Sequence, residues 1–117
     1  DNRTELAGKV REGIEMFRSS MHKIGSEKLY QWSRQGVSGE LTTQTSPLFA
    51  KPLAGILVEL YGASLLLQQA EHDERKMAVA ETFINEHMLP NARRYAEKIE
   101  SVTPETLKTY DRILELN

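Results

Sequence analysis

The hydrophobic positions of the chain recur at helical spacings. Between residues 3 and 24 the apolar side chains are three or four residues apart, and at 100° per residue they fall within about 80° of one another. This stripe consists of Leu6, Val10, Ile14, Phe17, Met21 and Ile24. It continues less regularly through Trp32, so the predicted helix runs to about Arg34. Gly25 is a potential kink within it, at a cost of about 1 kcal/mol relative to Ala.

A second helix is predicted after a loop over residues 36–46, which are rich in Gly, Ser and Thr. Ser46 followed by Pro47 is a helix-start signal. Pro52 cannot donate a backbone hydrogen bond, which favours a regular helix that begins only there. Residues 53–70 form the most apolar segment, with apolar side chains around most of the helix. We therefore expect this helix to be central and the most buried.

Two glycines lie on one side of this apolar helix. Gly55 and Gly62 are seven residues apart, and Gln69 lies on the same side. Small residues on one strip allow another helix to approach closely. The spacing therefore predicts that Gly62 lies at a helix–helix contact.

The last third of the chain predicts one long helix and one short helix. Residues 71–74 predict either a brief turn or the first turn of the next helix, where acidic side chains suit the positive end of the helix dipole. Residues 74–100 then carry a stripe, and Pro90 is predicted to bend this helix without ending it. Thr103 and Pro104 signal the start of the final helix. The stripes of these two helices are Met77, Ala80, Ile84, Met88, Tyr95 and Ile99, and Leu107, Tyr110, Ile113 and Leu114.

The combined pattern predicts the fold class. No segment alternates apolar and polar residues over enough length for a strand. We therefore predict an all-α, four-helix, up-and-down bundle-like domain with two long helices, covering residues 1–117 as one domain.

Composition narrows the function classes. The chain has 39% hydrophobic and 27% charged residues, and 15 basic against 17 acidic residues give a net charge of −2. This balance argues against a nucleic-acid or anionic-membrane surface, which needs a concentrated basic patch. The lack of cysteine excludes disulfides, thiolate nucleophiles and Cys-based zinc sites, and fits a cytoplasmic protein. The opening at Asp1, with no apolar segment after a basic start, is no signal peptide and leads us to expect a fragment of a larger protein.

The apolar segment 53–70 also has to be weighed as a membrane span. A spanning helix needs about 20 mostly apolar residues. Glu59 lies in the middle of this segment, and Gln68 and Gln69 lie at its end. A buried core helix is therefore the favoured interpretation.

Helical bundles often hold metals or cofactors, but this sequence lacks the necessary patterns. A di-iron site needs an acid three residues before its histidines, and the residues at that position before His22, His72 and His87 are Ser19, Gln69 and Ile84. The sequence contains no close histidine pair for zinc, no glycine-rich phosphate loop and no Gly-x-Ser-x-Gly motif. No basic recognition helix stands out either. We assign no catalytic, cofactor-binding or metal-ligating residue.

Individual polar and aromatic residues have competing interpretations. For His87, on the flank of the third helix, a partly buried histidine bonded to a neighbouring helix is favoured over a proton-transfer role. His22 and His72 are predicted to lie on the surface. A lone buried carboxylate is costly, so Glu59 is predicted at a helix edge or paired with an arginine rather than as a functional acid. The aromatic pair near the end of the first helix favours packing over ligand stacking, and consists of Tyr30 and Trp32.

Two consecutive segments resemble a known domain. Residues 57–70 form a glycine-bearing apolar helix, and residues 76–92 follow the form Lys-x-x-x-Ala-x-x-[Phe/Tyr]-x-x-x-x-x-Leu-Pro-x-Ala. The matching positions are Lys76, Ala80, Phe83, Leu89, Pro90 and Ala92. This pattern resembles the extra C-terminal helical domain of larger acyl-CoA dehydrogenases, most strongly over residues 53–100.

The resemblance implies a function for the parent protein. Members of that family use FAD to remove hydrogens from the α and β carbons of an acyl-CoA, with a glutamate as base and the flavin as hydride acceptor. Both belong to preceding domains, and no residue here matches them. The resemblance therefore implies a helical domain that packs on the dehydrogenase body and shapes the substrate entrance or a subunit interface of a homo-oligomer. The alternative is a stand-alone helical module for ligand sensing or protein interaction.

Overall fold

The computed structural model describes residues 2–35 and 47–115, and every element in these two ranges is helical. The elements are α1 (Asn2–Gln35), α2 (Pro47–His72), α3 (Arg75–Phe83), a π-helical segment (Ile84–Met88), α4 (Leu89–Glu100) and α5 (Pro104–Glu115). Because α3, the π segment and α4 follow one another without interruption, they form one rod, which we call the third rod. The predicted all-α, four-helix, bundle-like architecture is confirmed over the described ranges, whereas the predicted loop at 36–46 lies outside them.

The core forms where α1, α2 and the third rod meet. α2 packs against α1, α3, the π segment and α4, and α1 also packs against α4. The largest fully buried apolar side chains come from α2 and the third rod: Ile56, Ile84, Met88 and Ile99. Burial of each such side chain stabilises the fold by about 1.5–3 kcal/mol.

The buried face of α1 differs from the predicted stripe. Ile14 and Met21 are exposed, so their assignment to the core is wrong. Small residues take their places, because a Cβ atom on Gly13 would lie only 2.8 Å from a methyl carbon of Leu60 and 3.1 Å from the sulfur of Met88. The face turned inward repeats every 3.5 residues, as in closely packed helix pairs. It comprises Leu6, Val10, Gly13, Phe17, Ser20 and Ile24.

The helix α2 begins earlier than expected. It starts at Pro47, and Pro52 lies inside it, so the prediction of a regular start at Pro52 is wrong. A proline at this position removes one backbone hydrogen bond, but only about one turn of helix precedes it. The burial of its ring, together with the packing of Phe49 into the core, holds this first turn in place.

α2 is the central helix and has the fewest exposed side chains of the three long helical elements in the described ranges, as predicted, but it is not buried all round. Its inner face packs into the core through Ile56, Leu60 and Ala63, whereas Val58 and Tyr61 on the opposite side are 70% and 68% exposed. The cause is geometric, because α1 and the third rod both lie against one side of α2. Its other apolar side is left uncovered within the described residues.

The turn between α2 and α3 and the continuity of the third rod agree with the sequence pattern. Asp73 and Glu74 form a brief turn, and the carboxylate of Asp73 accepts a hydrogen bond of 3.0 Å from the backbone N–H of Arg75. The helical path then continues across Pro90, as predicted. The structure adds a π turn directly before this proline, in which the N–H of Leu89 donates to the carbonyl of Ile84.

The π turn explains how one stripe survives in the third rod. Ala80, Ile84, Met88 and Ala92 are all fully buried although they are four residues apart. In a regular α-helix each four-residue step overshoots one turn by about 40°. A π turn holds an additional residue, so it returns the later positions to the core.

The final helix α5 begins as predicted. The hydroxyl oxygen of Thr103 accepts a hydrogen bond of 3.1 Å from the backbone N–H of Thr106. Leu107 is buried, whereas Ile113 is exposed. The side chains of Tyr110 and Leu114, and those of Tyr30 and Trp32 in α1, lie outside the described part of the structure.

Candidate interaction surface

The three histidines do not build a site. His22 and His72 are exposed, as predicted. His87 is exposed as well, and its ring lies against Phe83 of the same rod with 5.8 Å between ring centroids. The expected partly buried histidine bonded to a neighbouring helix is therefore wrong. Among the described residues no group of three or more His, Asp or Glu side chains is placed to hold a metal ion.

The carboxylate of Glu59 joins two helices. One of its oxygens accepts a hydrogen bond of 3.0 Å from the side-chain amide of Asn91 in α4. The other oxygen is buried and has no hydrogen-bond partner among the described residues. The predicted arginine partner is therefore replaced by an asparagine. Because Glu59 lies on the strip of α2 between Gly55 and Gly62, it belongs to the contact between α2 and the third rod.

The two glycines of α2 receive aromatic rings of the third rod. A Cβ atom on Gly55 would lie 2.6 Å from a ring carbon of Tyr95, and one on Gly62 would lie 3.1 Å from the ring of Phe83. Real Cβ atoms essentially never come as close as 2.6 Å, so a side chain at Gly55 would displace Tyr95, whereas one at Gly62 would require the ring of Phe83 to move by a few tenths of an ångström. The prediction that Gly62 lies at a close helix–helix contact is confirmed.

The most distinctive surface lies on the opposite side of α2. Leu57, Val58, Tyr61 and Leu65 recur at helical spacing and are between 38% and 70% exposed. Between Lys51 and Glu71 the only charged residue is Glu59, which points toward Asn91 in α4. This side of α2 is therefore uncharged over about four turns.

α1 extends this apolar surface on one edge. Its Arg3 side chain donates a hydrogen bond of 3.0 Å to the backbone carbonyl of Ala70 in α2. Ile14 and Met21 follow Arg3 by 11 and 18 residues, so they lie within about 20° of it around the helix. They are therefore on the edge of α1 that faces α2, and both are exposed.

α3 extends the surface on the other edge. Phe83 packs on Gly62, and Val79 lies one turn earlier on the same side of α3 and is half exposed. A shallow groove of about 430 Å³ runs along this edge past Val79, Phe83 and His87. We call the complete apolar surface the outer face, and define it as Ile14, Met21, Leu57, Val58, Tyr61, Leu65 and Val79.

The seam between α1 and α4 has the opposite character. Arg93 of α4 pairs with Glu12 of α1 at 2.9 Å, and the ammonium group of Lys9 donates to the side-chain oxygen of Asn85 in the π segment. Polar and charged groups therefore cover this side of the domain, while uncharged apolar groups cover the outer face.

The apolar length of α2 also matches the thickness of a bilayer. Leu48–His72 spans 25 residues with a mean hydropathy of 1.4, which is long and apolar enough to cross a membrane by length and composition alone. It is the one such helix in the described ranges. Only 17% of its most apolar window is buried within the domain, so the interpretation as a core helix holds for its inner face alone.

No known protein family matches the chain, and neither a curated protein nor a solved structure is similar to it.

The sequence analysis did not predict the outer face, and the hydrophobic pattern of α2 explains why. The spacing of Leu57, Val58, Tyr61 and Leu65 is a helical stripe in its own right. A second stripe lies on the other side of the same segment, so a helix buried all round and a helix with one free apolar side give the same pattern. Only the positions of α1 and the third rod distinguish them.

Proposed function

We propose that this chain is an accessory helical domain of an FAD-dependent acyl-CoA dehydrogenase, and that it serves the assembly of that protein. The observation that carries the proposal is the outer face. Its seven side chains are on average about half exposed, which corresponds to roughly 600 Å² of apolar surface if a large apolar side chain has on the order of 150–200 Å²; this is at the upper limit of what monomeric proteins usually present. An exposed uncharged apolar surface of this size favours a role in contacts with another protein surface.

The chemistry of the parent reaction supports a contact role for this domain and a catalytic role for the dehydrogenase body. Removal of a proton from the carbon next to a thioester needs a positioned base together with a hydride acceptor. The half-buried carboxylate of this chain, Glu59, already binds Asn91 and sits at a helix contact. The resemblance implies that base and flavin lie in the dehydrogenase body, and this domain then contributes subunit contacts and packing.

The finer part of the proposal rests on the resemblance of residues 53–100 to the C-terminal domain of larger acyl-CoA dehydrogenases. Its most unusual feature is a Leu-Pro pair inside a long helix. Leu89 and Pro90 lie within the continuous third rod, directly after the π turn. This arrangement agrees with the helical context that the resemblance requires.

The full-length gene product tests the proposal. We expect it to copurify with FAD and to show bleaching of the flavin absorbance when an acyl-CoA is added. The 117-residue chain alone should do neither. Deletion of these residues from the full-length protein should retain the flavin but change the oligomeric state in light scattering. Tight flavin retention by the chain alone, or a full-length protein without flavin, would contradict the proposal.

A second candidate is a stand-alone module for ligand sensing or protein interaction. The outer face also suits such a module, because exposed apolar surfaces of this kind mark protein-interaction sites. A DNA-binding domain elsewhere in the gene product would support this candidate. A dehydrogenase body would support the first one.

A further inference from the structure

We propose that the outer face is covered by a second copy of this chain, with the two α2 helices packed antiparallel about a twofold axis at Tyr61. The inference rests on the proposed role in assembly and names the partner of the same surface. It makes the domain the element that holds two subunits together.

The area of the outer face is sufficient for such a pair. A stable interface of standard size covers about 800 Å² on each partner, of which a little more than half is apolar. From the exposed fractions of its seven side chains, the outer face supplies roughly 600 Å² of apolar surface. A pair formed through this face therefore needs no additional apolar region, and the polar residues around it complete the rim.

The order of residues along α2 is compatible with an antiparallel pair. An axis at Tyr61 brings together positions equally far before and after this residue. Leu57 then lies opposite Leu65 of the second copy, and the two Tyr61 rings meet at the axis, where offset aromatic stacking is favourable. Apolar side chains therefore face apolar side chains at these three positions, and Val58 faces Ser64 of the second copy.

Charge at the ends of α2 is compatible with the antiparallel direction. Lys51 and Glu71 are both ten residues from Tyr61, so an antiparallel pair places the lysine of one copy level with the glutamate of the other. A parallel pair would place like charges at the same level. No charged side chain lies between them on this face, so pair formation does not require the costly burial of a charge.

A lipid surface fits the outer face less well. Helices that bind membrane surfaces carry basic side chains along their flanks. Here Lys51 is the only basic residue of α2 apart from His72 at its end. Arg18 beside the α1 edge pairs with Glu15, and the chain as a whole is acidic. We therefore favour the second copy, and the experiment includes vesicles as an opposing outcome.

Analytical ultracentrifugation of the purified chain over a range of micromolar concentrations tests the pair directly. We expect a dimer, and we expect Val58→Glu to weaken it more than about 100-fold, because the pair then buries one unpaired carboxylate from each copy. Ile113→Glu is the matched control, since Ile113 is also more than half exposed but lies on α5, outside the outer face. Both variants should keep the helical circular dichroism signal and urea midpoint of a folded domain. A monomeric parent chain, or a Val58→Glu dimer as tight as the parent, would overturn the inference.

Cross-linking tests the position of the axis. The chain contains no cysteine, so Tyr61→Cys introduces a single thiol at the proposed axis. A short bis-maleimide that spans the ~8–10 Å between packed helix axes should link two copies of this variant rapidly. Ile113→Cys should not be linked. A dimer in which Tyr61→Cys reacts no faster than Ile113→Cys would reject this arrangement.

The outcomes separate this inference from the proposed function. A monomeric chain combined with a flavin-containing full-length protein would reject the dimer and retain the dehydrogenase assignment. If the chain is dimeric but the full-length protein contains no flavin, the dimer is retained and the dehydrogenase assignment is rejected. If the chain stays monomeric and sediments with phosphatidylcholine vesicles, and Val58→Glu abolishes the sedimentation, a lipid surface replaces the second copy.

Discussion

The two faces of α2 are built from similar residues and lie in different surroundings. On the inner face Ile56 is fully buried and Leu60 nearly so, whereas Leu57 and Val58 on the outer face are 49% and 70% exposed. Their hydrophobicity does not account for this difference. The inner face is covered because α1 and the third rod lie against it, and the outer face has no helix of the described part of the chain above it.

Small residues identify the face that other helices approach. Gly55 and Gly62 lie on the flank of α2 turned to the third rod, and Gly13 of α1 receives Leu60 and Met88. The outer face of α2 contains no glycine and carries Leu57, Val58, Tyr61 and Leu65. A long apolar segment therefore indicates a helix that packs against other elements. The glycines indicate the side on which the other helices of this chain pack.

The largest expected effect contrasts truncations on the two faces. Ile56→Ala should lower the free energy of unfolding by about 2–5 kcal/mol, because it removes buried methyl groups and leaves a cavity. Val58→Ala, two residues away, should change it by less than about 0.5 kcal/mol. Urea denaturation of the two variants, at a protein concentration low enough for the chain to be monomeric, measures both free energies of unfolding. Equal losses would show that the outer face is buried within the folded monomer.

The second prediction concerns the approach of the third rod. Gly62→Leu should lower the free energy of unfolding by about 1–3 kcal/mol, because the new side chain collides with the ring of Phe83. Gly8→Leu is the matched control, since nothing lies within 4 Å of a Cβ atom at Gly8, and replacing a helical glycine there should stabilise by about 0.5–1 kcal/mol. An unchanged urea midpoint for Gly62→Leu would refute the close contact.

Most of the fold was predictable from hydrophobic spacing. The third rod is the clearest case, because its stripe from Met77 to Ile99 continues across Pro90 and thereby excludes a break at this residue. The π turn was not predictable, since it is the backbone adjustment that keeps Met88 and Ala92 on the buried face. Spacing indicates which residues share a face but does not specify the hydrogen-bond pattern that achieves it.

The core of α1 shows where hydrophobic spacing fails. The stripe counted Ile14 and Met21 because they are large and apolar, but Gly13 and Ser20 occupy the buried positions. A residue is buried when a neighbouring helix approaches, and close approach favours small side chains. A 3.5-residue period that includes glycine and serine would have found the correct face.

The candidate surface was the least predictable feature. Burial of the outer face depends on what packs against α2, and no local pattern specifies that. The same limit applies to His87, whose exposure follows from the position of the π segment. By contrast, the absence of a di-iron pattern could be read directly from the residues that precede the histidines, since it depends on identity and spacing alone.

The third prediction concerns the polar contact on the covered flank of α2. Asn91→Ala should lower the free energy of unfolding by about 1–2 kcal/mol, because the carboxylate of Glu59 then loses its donor and both of its oxygens lack a partner. The double variant Glu59→Leu with Asn91→Leu should recover most of this loss, since apolar replacement of both partners is nearly neutral. A double-mutant cycle in urea measures the coupling. Additive effects of the two sites would show that the contact contributes nothing.

The smallest expected effect lies at the exposed turn that joins α2 to the third rod. The side chain of Arg75, and then its backbone N–H, donate to the carboxylate of Asp73 and hold the pKa of this group below its ordinary value of 3.8. Because the folded-state pKa is depressed, the interaction stabilises the fold above about pH 4 and is lost as the pH falls through the folded-state pKa. Asp73→Asn should therefore be slightly less stable than the parent chain at neutral pH and equally stable in strong acid. Glu74→Gln is the control, since this neighbouring side chain makes no capping hydrogen bond.

The difference in the free energy of unfolding between the parent and Asp73→Asn should also shrink in high salt, because exposed ion pairs are screened. A stability difference that persists unchanged at pH 2 would show that the carboxylate acts through something other than its charge.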